Sequence, residues 1–84
     1  MAYSVYIIYS KSLDKYYKGC TSNLNRRLKD HNLGYSTYTK SGVPWVLILE
    51  LKKETKSEAL VLERKLKNLN RERLKRFIEK YKDS

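Results

Sequence analysis

The sequence predicts an α+β fold with the element order β-β-α-β-α-α, and three observations point to it. Residues Tyr3 to Ser10 alternate between two faces, as a strand does, and Trp45 to Leu51 do so again after Pro44. Lys15 to Cys20 follows the first run across a short polar turn and reads as the returning arm of a hairpin. From Leu24, from Ala59 and from Leu74, apolar residues recur three or four apart, the spacing of a helix. The chain has 84 residues, enough for one small domain spanning 1–84.

Each element has a local reason. In the first strand Tyr3, Val5, Ile7 and Tyr9 share one face, and Ser4, Tyr6, Ile8 and Ser10 the other. Apolar groups on both faces predict a central position in the sheet. Lys11 to Asp14 is the turn, with Ser12 and Asp14 as its polar members. On the second strand Tyr17 and Gly19 point one way, and Tyr16, Lys18 and Cys20 the other; a short hairpin places Tyr6 opposite Tyr17. Thr21 or Ser22 is expected to cap the first helix, which runs to about Asn32 and stops at Asn32-Leu33-Gly34. Leu24 and Leu28 form its core stripe. Arg27 and His31, also four apart, form a second stripe beside it. Tyr35 to Val43 is a loop rich in hydroxyls, suited to phosphate contacts or simply a polar connector.

On the third strand, plain alternation puts Trp45, Leu47, Leu49 and Leu51 on one face and Val46, Ile48 and Glu50 on the other. Ser57 is expected to cap the second helix, whose stripe is Ala59, Leu62, Leu66 and Leu69. Glu63 borders that stripe. Asn70 caps the third helix, along which Leu74, Phe77, Ile78 and Tyr81 are spaced.

Lys and Arg number 19 against 9 Asp and Glu, for a net charge of +10. Nucleic acid is the partner such a field favours, because its phosphates release counterions on binding. A solvated basic surface is the plain alternative. The single cysteine, Cys20, excludes an intrachain disulfide, and with one histidine it excludes a cysteine-based zinc site. No run approaches the roughly 20 apolar residues of a membrane span, and no secretory pattern opens the chain. The expectation is a soluble, cytoplasmic protein that does not contact membrane.

Phosphodiester hydrolysis needs an activated water, a cation for the developing charge and help for the leaving oxygen. A single carboxylate can hold Mg²⁺, which keeps several of its waters. Arginine binds phosphate bidentately. Tyrosine or histidine can carry the proton. Tyr6, Tyr17, Arg27, His31 and Glu63 supply that set. Each also has an ordinary reading: the tyrosines as strand packing, Arg27 as a solvated residue, His31 as a cap on the last carbonyls of its helix, Glu63 as the partner of Lys67. Cys20 lacks an activating neighbour in sequence and reads as a half-buried packing residue.

The spacing Ser4-Val5-Tyr6, Tyr17-Lys18-Gly19, Arg27, His31 and then Glu63 within Ser57-Glu58-Ala59-Leu60-Val61-Leu62-Glu63 resembles the GIY-YIG nuclease family, in particular its small single-domain bacterial members. The resemblance covers essentially the whole chain. It implies a small antiparallel three-stranded sheet flanked by helices, with Tyr6 and Tyr17 facing the active site from adjacent strands. It implies that Arg27 contacts the scissile phosphate, that His31 assists proton transfer or orients a tyrosine, that Gly19 is the motif glycine, and that Glu63 binds one Mg²⁺ or Mn²⁺. Family members cut DNA in repair, homing, restriction and recombination. Arg26 and Lys29 on the outer side of the first helix, with Tyr38 and Lys40 of the loop, are the candidate nucleic-acid contacts.

Three departures stand out. Ser4 replaces the first glycine of the motif, and Lys18 replaces the isoleucine of the second triplet, on the strand face away from Tyr17. The family's active-site asparagine has no clear counterpart, Asn68 and Asn70 being the nearest in sequence. The expected activity is a metal-dependent DNA endonuclease. The alternatives are a weakly catalytic or inactive nucleic-acid-binding module that needs a protein partner for targeting, and a protein-interaction domain.

Overall fold

The fold is that of a computed structural model, which describes residues 2–35 and 39–82. Its elements are β1 (Tyr3–Ser10), β2 (Lys15–Thr21), α1 (Leu24–Asn32), β3 (Trp45–Lys53), α2 (Lys56–Lys67) and α3 (Arg71–Lys82), with a short 3₁₀ turn at Lys40–Gly42. The predicted order, β-β-α-β-α-α, is the observed one. The three strands form one antiparallel sheet in the order β2-β1-β3.

The central strand explains the apolar groups on both of its faces: Val5, Tyr6, Ile7 and Ile8 are all buried. Helices α2 and α3 cover the Val5/Ile7 face and contribute Ala59, Leu66, Leu74 and Ile78 to a core with Leu49. A fully buried leucine such as Leu66 contributes about 1.5–3 kcal/mol. Helix α1 covers the opposite face, where Tyr6, Ile8, Leu24 and Trp45 pack with Tyr17 and Leu28. That second face carries the candidate site.

The third strand departs from plain alternation. Ile7 lies opposite Leu49 but Ile8 lies opposite Leu47, so Ile48 is an extra residue in a β-bulge. The bulge exchanges the faces partway along the strand. Trp45 and Leu47 share the α1 face with Ser10 and Ile8, whereas Leu49 and Leu51 face α2 and α3 with Ile7 and Val5. The expected single face of Trp45, Leu47, Leu49 and Leu51 is therefore split, and Glu50 stands opposite Tyr6.

Two caps also sit elsewhere than expected. The side chain of Asn23, directly before α1, accepts from Arg26 N–H at 3.2 Å. Thr21 instead accepts from Asn23 N–H at 3.1 Å and so shapes the approach to the helix. Thr55, not Ser57, caps α2: its Oγ1 accepts from Glu58 N–H at 3.2 Å and donates to the Glu58 carboxylate at 3.1 Å. Asn70 caps α3 as predicted, accepting from Arg73 N–H at 2.9 Å.

The hairpin is pinned to the start of α3. Asp14 adopts φ 51°, a left-handed conformation that aspartate tolerates in turns. Its carboxylate accepts from the Tyr9 hydroxyl at 2.5 Å and from Arg71 Nη2 at 2.6 Å, while Arg71 Nη1 donates to its carbonyl at 2.8 Å. These bonds hold the Asp14 carboxyl below the usual carboxylate range. Among the described residues no helix is long and apolar enough to cross a membrane.

Candidate active site

The site begins with the pairing of β1 and β2. Tyr6 lies opposite Gly19, and Tyr17 lies opposite Ile8. The two tyrosines share a face as predicted, but they stand diagonally across the hairpin rather than directly opposite, because Ser10 pairs with Lys15 across a four-residue turn. Their ring centroids are 6.4 Å apart. The Tyr6 ring lies over Gly19, where a Cβ would overlap its hydroxyl and come within 2.5 Å of Cζ. Gly19 is thus the residue that lets the ring lie flat across the sheet.

Helix α1 brings Arg27 and His31 onto the same face. His31 is fully buried. Its Nε2 is 3.0 Å from the Tyr6 hydroxyl and its Nδ1 is 2.7 Å from Thr39 Oγ1. Its ring meets that of Tyr17 edge-on at 5.1 Å. The ordinary reading of His31 as a cap on helix carbonyls does not hold. The backbone N–H groups of Leu33 and Gly34 take that part, with Gly34 at φ 79°. The Arg27 guanidinium faces the hydroxyls of both tyrosines, and that contact, with Tyr6 foremost, raises its own pKa.

Burial dominates the protonation of the cluster. It pushes the Tyr6 phenol up to about 12, against the pull of Arg27 and with further upward pressure from Tyr17 and Glu63. Tyr6 therefore keeps its proton at neutral pH. Burial pushes His31 down, and the positive charge of Arg27 adds to this, outweighing Asp30. The imidazole is therefore neutral. In the unfolded chain a histidine titrates near about 6.5, so as pH falls the unfolded state takes up the proton first. Stability from this group is present above that pH and is lost below it. Urea unfolding midpoints measured from about pH 7 to about pH 5 are expected to fall more steeply for wild type than for His31→Gln. Equal slopes would contradict the buried neutral imidazole.

Glu63 comes from α2, behind the sheet. Its carboxylate is 3.6 Å from Lys67 Nζ, and its charge is felt at both Tyr6 and Cys20. It therefore lies near the β2 side of the sheet. Burial, with Glu63, pushes the Cys20 thiol up, away from nucleophile chemistry. Among the described residues no group of three or more His, Cys, Asp or Glu could hold a metal ion. A lone, partly exposed carboxylate fits a cation that keeps most of its waters, such as Mg²⁺ or Mn²⁺, and not a protein cage.

The remaining candidates lie outside this cluster. Arg26 and Lys29 are exposed on α1, and Lys40 is exposed at the 3₁₀ turn. Tyr38 lies outside the described residues. Asn68 follows the last turn of α2, and the Asn70 side chain caps α3. Lys18 is on the face away from Tyr17, yet because β2 is an edge strand both residues line one groove with Tyr16 and Lys67.

Sequence reasoning missed Thr39, Asn32 and Trp45. Thr39 was one hydroxyl in a polar loop, but it is fully buried. Its carbonyl accepts from Trp45 Nε1 at 2.7 Å. Asn32 clasps the Trp45 backbone, accepting from its N–H at 2.5 Å and donating to its carbonyl at 3.1 Å. A polar residue that ends a helix just before a long loop was the only signal in the sequence.

The chain is similar to known proteins along most of its length. The chain is 36% identical over 76 residues to the UPF0213 protein SH2523 of Staphylococcus haemolyticus, covering 89% of this chain and 92% of that one. It is 35% identical over 80 residues to the UPF0213 protein YazA of Bacillus subtilis, covering 94% and 80%. The solution NMR structure of the UPF0213 protein BH0048 from Bacillus halodurans superposes with a TM-score of 0.63 at 30% identity, covering 94% of this chain and 84% of that one. Residues 2–81 match the GIY-YIG catalytic domain. The same span holds the paired tyrosines, the arginine and the histidine gathered beneath α1, and the protein is a member of the GIY-YIG family.

Proposed function

We propose that the chain is a divalent-metal-dependent DNA endonuclease that hydrolyses a phosphodiester bond, with a place in DNA repair or recombination. The observation that carries this reading is the convergence of Tyr6, Tyr17, Arg27 and His31 on one sheet face, with Tyr6 Oη and His31 Nε2 3.0 Å apart.

Arg27 presents the fork that matches two phosphate oxygens and stays charged throughout. Tyr6 is the proton carrier. Burial pushes its phenol up to about 12, so it starts protonated at neutral pH and gives up its proton as another arrives. The attacking water gives its proton to Tyr6 Oη while the Tyr6 proton passes to His31 Nε2. The water oxygen bonds to phosphorus, the P–O bond to the leaving oxygen breaks, and solvent protonates that oxygen. Tyr17 packs against His31 and helps hold the phosphate beside Arg27. Glu63 would hold the Mg²⁺ or Mn²⁺ ion, which when bound supplies positive charge to the phosphate oxygens. The net charge of +10 draws the polyanion in, with a strong dependence on salt.

A second reading, a nucleic-acid-binding module that lacks catalysis and relies on a protein partner, is favoured by one observation: the Glu63 carboxylate is already engaged by Lys67. Purified protein incubated with plasmid, branched and single-stranded DNA separates the two. Cleavage that requires Mg²⁺ or Mn²⁺ and stops with chelator supports the nuclease. Salt-dependent binding without cleavage of any substrate supports the module.

A further inference from the structure

We infer that Thr39 is a positioning residue: its hydroxyl oxygen accepts the Nδ1 proton of His31 and so holds the ring in the tautomer whose bare Nε2 faces Tyr6. The step it serves rests on the nuclease reading. The tautomer itself does not.

The partners of the Tyr6 hydroxyl fix the direction of each bond. Arg27 has only donors to offer. Between Arg27 and His31, the described groups that bond that hydroxyl, His31 Nε2 is able to accept, and it lies at 3.0 Å. An acceptor Nε2 on a neutral ring places the proton on Nδ1, which lies 2.7 Å from Thr39 Oγ1. In the opposite tautomer Arg27 and His31 would both be donors, and the buried Tyr6 O–H would lose the acceptor it has. Buried donors in folded proteins are rarely left in that state.

A threonine hydroxyl can donate or accept, so the Tyr6 bond makes the choice and Thr39, held in place, accepts the Nδ1 proton that results. Thr39 is fully buried, as is His31. Its carbonyl accepts from Trp45 Nε1 at 2.7 Å and from Gly42 N–H at 3.0 Å. The Trp45 backbone is in turn clasped by Asn32, one residue beyond His31 on α1. Gly42 lies against the indole so closely that a Cβ there would come within 2.8 Å of Cε2. Thr39 is thus tied through Trp45 and Asn32 to the same helix that carries the histidine.

The consequence is a three-member chain, Thr39–His31–Tyr6. Only a bare Nε2 can take the Tyr6 proton as Tyr6 receives one from water. Removing the hydroxyl lets the ring populate the tautomer that blocks the transfer, without touching substrate contacts.

His31 is the one histidine in the chain, so nitrogen-15 NMR of the imidazole in uniformly labelled, untagged protein reads the tautomer directly. Wild type and Thr39→Ser are expected to show a protonated, pyrrole-type Nδ1 and a bare, pyridine-type Nε2. Thr39→Val is expected to shift toward protonated Nε2. Under cleaving conditions Thr39→Val should lose about 10–100-fold in kcat with KM little changed, by analogy with the loss when the outer hydrogen-bond partner of a metal-ligating histidine is removed. Thr39→Ser should stay near wild type. A wild-type spectrum with the proton on Nε2, or a Thr39→Val spectrum identical to wild type, would overturn the assignment. If the valine variant does not fold, the wild-type and serine spectra still decide. If the protein cleaves nothing, the spectra stand and only the nuclease reading fails.

Discussion

Gly19→Ala is expected to abolish cleavage and to weaken the fold at the same time. The added Cβ would overlap the Tyr6 hydroxyl and lie 2.5 Å from Cζ. Such a contact is not relieved by a small shift, since Tyr6 is buried and flanked by Gly19 on one strand and by His31 and Arg27 from α1. The ring has to leave the sheet surface, and with it goes the bond to His31. Overpacking of this kind costs about 1–3 kcal/mol. Thermal or urea denaturation reads the loss of stability, and a plasmid cleavage assay reads the loss of activity. An alanine variant as stable and as active as wild type would show that Tyr6 does not lie over Gly19.

Arg27→Ala is expected to lower kcat by about 10²–10³-fold, the loss typical when one preorganised donor to a developing anion is removed. Arg27→Lys should recover little, because an ammonium offers a point charge where two phosphate oxygens need a fork. DNA affinity should fall only slightly, since this is one positive charge in a net +10. The pH profile carries a second signature. Arg27 helps to depress His31, so its removal raises the His31 pKa. A higher pKa protonates the ring sooner as pH falls, so the acid limb of the rate profile moves to higher pH. A variant that loses affinity and rate in parallel, with an unmoved acid limb, would make Arg27 a general phosphate contact and not a member of this cluster.

Local rules made much of this legible. Alternation with apolar residues on both faces placed β1 in the centre of the sheet, and the tertiary structure agrees because no other position covers both Tyr6 and Ile7. Helical spacing put Arg27 and His31 on one side of α1, and Asn70 announced α3. What escaped has physical causes. The bulge at Ile48 leaves no mark in composition, yet it exchanges the faces of β3 and turns Glu50 toward the Tyr6 side. Thr21, Ser22 and Asn23 are three consecutive side chains able to cap, and only the exact start of the helix selects Asn23. The bonds from His31 to Thr39 and from Asn32 to Trp45 join residues 8 and 13 apart in sequence, where no periodicity connects them. The half of the site built on regular elements could be read in advance; the half that steadies it could not.

In the proposed mechanism Glu63, from α2 behind the sheet, would complete the cluster by holding the ion. The most direct measurement compares wild type and Glu63→Gln for cleavage and for binding of the same DNA in Mg²⁺. Glutamine keeps the size of the side chain and removes the charge that would hold the ion. Wild type is expected to cleave only with the metal, and Glu63→Gln to bind the DNA with near-equal affinity and leave it intact. Equal cleavage by the two proteins, or cleavage by wild type in chelator, would contradict that mechanism.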